Sequence, residues 1–389
     1  MALLPLAIGF LAALAAKHHA DEAPAAQQAT ERSAAVSVPP APAAPLSDGA
    51  PAAPGAPPPA RPLAKSLGAE TTREPALEAK LKKVLSDGKT PYAATVLIEI
   101  GTGRVLAIAE HSTQGPAEGL AQRAMAPAAS IFKLVTSSAL LQAGVLASTQ
   151  VCTHGGKTRM SPALLLDNAK NDHRCATFSD VVPQSLNVAI AKLALKHLDP
   201  ERLRAEAARW GFGEGFAVMQ PSIASIPDDP FAFANAAAGF GDVKISAMHG
   251  AMIAAAVAQD GLLVSPRLSD AAEVLAARQA MPVSVARALK RMMVETVATG
   301  TGRRAFSQAP KLGLTAAGKT GSLADYRTGL DTSWFVGFAP ADRPAIAVAT
   351  VVVNTPVWHV KAPAVAKEAL RVYFKAHPVE ATRALVAHR

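Results

Sequence analysis

Residues 319–354 read KTGSLADYRTGLDTSWFVGFAPADRPAIAVATVVVN. Three β-rich runs lie here, Lys319 to Leu323, Ser333 to Ala339 and Ala345 to Asn354, separated by Gly-, Asp- and Pro-bearing turns, and the last is rich in valine. Working outward toward the N-terminus, comparable strand signals return only more than 200 residues earlier. Tyr92 to Ile100 and Arg104 to Glu110 are joined by Gly101-Thr102-Gly103, a hairpin signal. Between these two strand regions, from Ser130 to about Val297, the pattern is mostly helical and broken by Gly, Pro and Asp. Helical runs also flank the strands, Thr72 to Ser86 before them and Ala362 to Ala376 after them. The implied fold is of mixed α/β (α+β) class. One sheet is built from both ends of the chain, an all-helical lobe over about residues 134–300 is inserted into it, and a ligand cleft is expected between the two.

Composition narrows the classes. The chain has 389 residues, but the segment Ala23 to Leu63 holds 11 of its 30 prolines together with 14 alanines. Such a tract carries too few large side chains to offset its ordering entropy. A disordered tether is therefore expected over residues 21–63, and the folded domain over 64–389. In extended polyproline form the tract could reach about 125 Å. Before it, Met1 to Ala16 is apolar and is followed by Lys17, His18 and His19, so residues 1–20 read as a signal peptide or membrane anchor. Past residue 20 no apolar run is long enough for a spanning helix. The formal charge is +9, yet the cations are scattered and only 5% of residues are aromatic, so nucleic-acid binding is not indicated. A basic surface suits an anionic cell-envelope partner equally well.

Three short motifs fall at element boundaries. In Ser130-Ile131-Phe132-Lys133, following Pro127-Ala128-Ala129, a helix start would set Lys133 one turn from the Ser130 hydroxyl. A neutral amine there could take the serine proton. Ser86-Asp87-Gly88-Lys89 repeats the pattern across a helix-ending turn, where the side chains have no fixed relation. Ser185-Leu186-Asn187 opens a helical run, with Ser185 as a plain helix N-cap, a proton relay, or both. Lys319-Thr320-Gly321-Ser322 could pair with an extended substrate and hold its carboxylate. Residues Gly313 to Thr320 also fit the phosphate-loop pattern, but that loop must follow a buried strand and open a helix, and neither signal is present.

Taken together and in this order, Ser130-x-x-Lys133, Ser185-x-Asn187 and Lys319-Thr320-Gly321 resemble the signature of penicillin-recognising serine enzymes. Gly239-Phe240-Gly241, the turn at Gly300-Thr301-Gly302 and Trp334 to Pro340 are similar to the transpeptidase domain of penicillin-binding proteins. The resemblance implies a central five-stranded antiparallel sheet flanked by helices. It also implies a D,D-transpeptidase or carboxypeptidase that forms a serine acyl-enzyme with D-Ala-D-Ala stem peptides and is acylated by β-lactams. Ser130 would be the nucleophile, Lys133 its base, Ser185 a proton relay and Lys319 a source of positive potential. Asn187 would bind the substrate amide. Thr320 and Ser322 would hold its carboxylate beside the side-chain-free Gly321, and the backbone N–H groups of Ser130 and Ser322 would form an oxyanion hole. The partners expected from it are peptidoglycan stem peptides, β-lactams, the cytoplasmic membrane through the N-terminus, and proteins of wall-synthesis complexes. The setting would be the periplasm or the outer face of the cytoplasmic membrane. Neither cofactor nor metal is called for. A β-lactamase or β-lactam sensor is the alternative within the family; a non-catalytic wall-binding module and a P-loop NTPase are the alternatives outside it. A deacylating glutamate in a Glu-x-x-x-Asn setting is missing, since neither Glu206 nor Glu214 has Asn four residues on.

Cys152 and Cys175 lie before the second motif with His154 and His173 nearby, which leaves open a disulfide, two free thiols or a zinc set. Export would favour the disulfide. His249, on an apolar helical run, reads as a packed core residue.

Overall fold

In a strand buried on both faces, every position must be apolar or have a hydrogen-bonding partner. The run ending at Asn354 meets that demand, and the computed structural model places it in the interior of a five-stranded antiparallel sheet. The structure describes residues 71–155, 160–272, 276–310, 313–325, 328–356 and 360–378; the segments read as signal and tether lie outside them. The sheet is formed by β1 (Tyr92–Glu99), β2 (Val105–Ser112), β5 (Ala317–Asp325), β6 (Leu330–Ala339) and β7 (Ile346–Asn354) in the order β5-β6-β7-β1-β2. β3 (Gln150–Thr153) and β4 (Arg174–Thr177) pair separately as a ribbon. The strands from the two ends of the chain thus meet where β7 pairs with β1.

Alternation along β7 divides the core. Ile346, Val348 and Val352 pack on one face with α1 (Pro75–Asp87) and α9 (Ala362–Ala376), and Ala347, Ala349, Val351 and Val353 pack on the other. In α1, Leu77, Leu81 and Leu85 recur every four residues and form the buried stripe, while a proline in its first turn fits a helix start. β7 has two polar positions, Asn354 at its end, whose amide donates to Val360 O at 3.0 Å, and Thr350 in its interior. The Thr350 hydroxyl lies 3.0 Å from that of Thr95, its register partner on β1, so two buried hydroxyls satisfy each other.

The segment between β2 and β5 carries α2 (Lys133–Gln142), α3 (Phe178–Gln184), α4 (Asn187–His197), α5 (Pro200–Arg209), α6 (Pro230–Ala237), α7 (Ala247–Ala258) and α8 (Val283–Ala298). It is not the all-helical insertion expected. The β3–β4 ribbon and two further short pairings interrupt it; the ribbon strands are four residues each, too short for a helical stripe, and carry the β-branched Val151, Thr153 and Thr177. Nor does all of it stand apart from the sheet. α7 is buried along its whole length and packs on β7, β1 and β6, and α8 packs on β5. No helix among the described residues is long and apolar enough to cross a membrane.

Candidate active site

The segment entering the first motif is held at four points. Ala126 and Pro127 pair with Ile245 and Lys244, the Ala128 N–H donates to Val243 O at 2.8 Å, and the Trp334 indole donates to Pro127 O at 2.8 Å. Ala129 then takes a positive φ of 48°. Gly239 lies against it so closely that an added Cβ would sit 1.8 Å from Ala129 O, which only glycine permits. Ser130 occupies a short 3-10 turn, Ala129–Ile131, and the α-helix begins at Lys133 and not at Ser130 as the sequence suggested. The i to i+3 relation survives this change, and Lys133 Nζ lies 2.7 Å from Ser130 Oγ.

Lys133 is fully buried. Its amine also donates to Asn187 Oδ1 at 2.8 Å and to Ala238 O at 2.9 Å, at the end of α6, and the Phe240 ring lies 5.8 Å away. Both oxygens can only accept. A neutral amine therefore spends its two N–H groups on them and is left with its lone pair toward Ser130 Oγ. Burial, with the charge of Lys319 as a lesser cause, holds the Lys133 amine well below its ordinary value.

Ser185 is placed differently from the N-cap expectation. It ends α3 as a left-handed residue with φ 57°, while Leu186 occupies the N-cap of α4 without a side-chain bond. The left-handed turn lets two helices meet at a corner, which carries the Ser185 hydroxyl to within 2.9 Å of Lys319 Nζ. Asn187, the first residue of α4, faces Lys133. Ser185 and Asn187 thus each receive an N–H from one of the two buried lysines of this site.

The third wall is β5, an edge strand of the sheet. By the two-residue period, Lys319 and Gly321 share one face and Thr320 and Ser322 the other. A Cβ on Gly321 would meet Trp334 Cβ at 3.2 Å and Ala128 O and Ala129 Cβ at 3.4 Å, so the bare glycine lets the strand lie against the turn holding Ser130. Lys319 is fully buried and also donates to Thr320 O at 2.7 Å; burial pulls its amine down to about 7. The Thr320 hydroxyl lies 2.6 Å from that of Thr301. Ser322 is exposed. Because residues 317–325 form a strand where a phosphate loop would open a helix, the nucleotide reading fails on backbone grounds.

The structure gathers the five side chains into two sets of contacts, Ser130–Lys133–Asn187 and Ser185–Lys319. The second Ser-x-x-Lys stretch stays outside both, with Ser86 bonded to its own helix at Lys83 O and both Ser86 and Lys89 exposed. Two partners escaped the sequence reading. The Ala238 carbonyl is a backbone group with no side-chain signature, and Thr301 was visible only as part of a Gly-Thr-Gly turn. Glu206 is fully buried, but it is occupied by Gln142 at 2.9 Å, Trp210 Nε1 at 2.8 Å and Arg209, toward the far end of α2 from Lys133. Glu214 is paired with Arg278. Neither carboxylate is free to activate a water. Cys152 and Cys175 oppose each other across the β3–β4 ribbon and form a disulfide, so neither sulfur is available to zinc. His249 is buried, with Nε2 2.8 Å from Trp210 O and its ring 4.7 Å from that of Phe212, and burial lowers its pKa to about 4.

Comparison with known proteins places this arrangement. The family model described as the penicillin binding protein transpeptidase domain matches residues 93–371, and the chain belongs to that family. It is 26% identical over 309 residues to the peptidoglycan D,D-transpeptidase PbpA of Mycobacterium tuberculosis, covering 67% of this chain and 62% of that protein. The stage V sporulation protein D of Bacillus subtilis is 25% identical, with 58% of this chain and 38% of that protein covered. The chain thus spans less than two thirds of the length of the curated relatives it matches. In fold it is similar to the D,D-transpeptidase domain of a peptidoglycan glycosyltransferase from Eggerthella lenta (TM-score 0.66, 22% identity, 80% of this chain and 84% of that one). It is similar also to the penicillin G acyl-enzyme complex of penicillin-binding protein A from M. tuberculosis (TM-score 0.62, 21% identity, 79% and 80%).

Proposed function

We propose that the chain is a serine D,D-transpeptidase acting on peptidoglycan stem peptides outside the cytoplasm, and that β-lactams acylate the same serine. One observation carries the reading: Lys133 is buried beside Ser130 with its other polar contacts made to acceptors, a geometry that leaves a neutral amine's lone pair for the serine proton. Ser130 Oγ attacks the carbonyl of the penultimate D-alanine and passes its proton to Lys133. The negative oxygen that forms is stabilised by the backbone N–H groups of Ser130 and Ser322, a type of donor worth about 3 kcal/mol of barrier. Collapse breaks the peptide bond, and the departing D-alanine amine takes a proton relayed from Lys133 through Ser185. An acceptor amine then attacks the acyl-enzyme, returns its proton to the lysine and regenerates Ser130. The hydroxyls of Thr320 and Ser322 hold the terminal carboxylate before the bond breaks, with Lys319 as a source of positive potential behind them. Asn187 fixes Lys133 and reads the substrate amide.

The occupied state of Glu206 and Glu214 favours slow release by water, hence transpeptidation over β-lactam hydrolysis. The N-terminal segment would tether the domain to the cytoplasmic membrane, where wall-synthesis proteins are its partners. The decisive experiment incubates the protein with a fluorescent penicillin and follows it by denaturing gel and intact mass. A long-lived adduct that disappears in Ser130→Ala supports the proposal, whereas rapid turnover without accumulation would make the protein a β-lactamase.

A further inference from the structure

The Thr301 hydroxyl stands between two walls of the cleft. It lies 3.3 Å from Pro183 O, in the helix that leads to Ser185, and 2.6 Å from Thr320 Oγ1 on β5. Pro183 O is an acceptor only, and it already receives the Thr301 backbone N–H at 3.1 Å. Gly300 fixes this approach, since a Cβ there would sit 2.4 Å from the same carbonyl. A hydroxyl has one hydrogen to give. With Thr301 donating to Pro183 O, its oxygen accepts the hydrogen of Thr320. The Thr320 hydroxyl then turns lone pairs and no donor toward the cleft, which is the wrong polarity for a carboxylate.

We infer that Thr301 is a positioning residue that sets the hydrogen of Thr320, rotating between two donor directions as a substrate carboxylate arrives. In the empty site the chain of donation runs from Thr320 to Thr301 to Pro183. With a carboxylate bound it reverses, running from Thr301 to Thr320 to the carboxylate. The backbone N–H of Thr301 keeps Pro183 O satisfied in both states, so the reversal leaves no buried acceptor orphaned. No proton changes owner; two C–O torsions turn. The inference rests on the reading of Thr320 as a carboxylate holder.

The test measures acylation by benzylpenicillin and by its methyl ester, which lacks the anionic carboxylate, in wild type, Thr301→Val, Thr301→Ser and Thr320→Val, and resolves the binding constant from the acylation rate constant. Thr301 is exposed and valine has its shape, and a melting curve checks that each variant is folded. The expected result is that Thr301→Val weakens benzylpenicillin binding roughly five- to tenfold with the acylation rate constant unchanged. The ester should be unaffected, and Thr301→Ser should restore the acid's affinity. An equal loss for acid and ester, or no loss for either, overturns the inference. If Thr320→Val discriminates acid from ester while Thr301→Val does not, the inference alone is overturned. If Thr320→Val does not discriminate them, the carboxylate reading of Thr320 is lost and the inference goes with it.

Discussion

Among the described residues three lysines are buried, and they divide between two regions with opposite logic. Lys192, on α4, points its amine at the β3–β4 ribbon. It donates there to Cys152 O at 3.1 Å and meets Asp172 and Asp167, each at 3.0 Å. Asp172 is held below the usual carboxylate range by the Asn168 backbone N–H, His154 and Lys192. Lys133 and Lys319, in the cleft, are hydrogen-bonded only to neutral groups, and each amine lies below its ordinary value. The same side chain is thus an ionic bolt where carboxylates surround it and an amine that sheds its charge readily where they are withheld. One helix carries both uses, since Asn187 and Lys192 are five residues apart on α4.

The contrast can be broken first at Lys133. Lys133→Met keeps the volume and removes the amine, and acylation by a β-lactam should fall by about 10²–10⁴ while the melting temperature holds or rises. A retained rate would remove the base role. Second comes the ribbon. Cys152→Ser with Cys175→Ser opens a covalent loop of 23 residues and should cost roughly 3 kcal/mol in chemical denaturation on the chain-entropy account. Acylation of the variant that remains folded should change far less than in Lys133→Met. Third, Lys192→Met should lower the melting temperature, because it leaves Asp172 without its buried cation, and it should spare the acylation rate constant. A loss of rate without a loss of stability would erase the distinction between the two regions.

The smallest effect is in pH dependence. Lys319 sits at about 7 in the folded protein against an ordinary 10.5, so between those values the unfolded chain binds a proton that the folded chain does not. Stability should therefore rise with pH across that window, by at most about 1.4 kcal/mol per pH unit for one group. Lys133 acts with the same sign. Tyr373, pushed up to about 12 chiefly by burial, opposes them only above its ordinary value of 10. Urea denaturation at pH 7 and pH 9 should show the rise in wild type and a flatter response in Lys319→Met; parallel responses would count against an uncharged Lys319.

What was legible in the sequence follows a physical line. The strand runs, the closing helix Ala362–Ala376 and the i to i+3 relation of Ser130 and Lys133 are local or periodic, and each is legible in the residues alone. The backbone setting of Ser185 is not, because its left-handed turn depends on how α3 and α4 meet and the residue type is equally at home in an N-cap. The ribbon was hidden for a related reason. Gln150 to Thr153 and Arg174 to Thr177 are four-residue strands with no period of their own, and only their mutual pairing defines them. Thr301 and the Ala238 carbonyl became partners through chain segments 19 and 105 residues away, contacts that no local pattern encodes.

The pairing of β1 with β7 has a temporal consequence. Thr95 and Thr350 touch across 255 residues of chain, and the strand that carries Lys319 is built onto the sheet through β6 and β7. A loop that long is slow to close, and few contacts reward the chain before it does. During synthesis the wall that carries Lys319 therefore cannot be joined to the N-terminal strands until β7, which ends at Asn354, has been made. A chain that stops short of β7 leaves the β1–β2 hairpin with no link to β5 and β6.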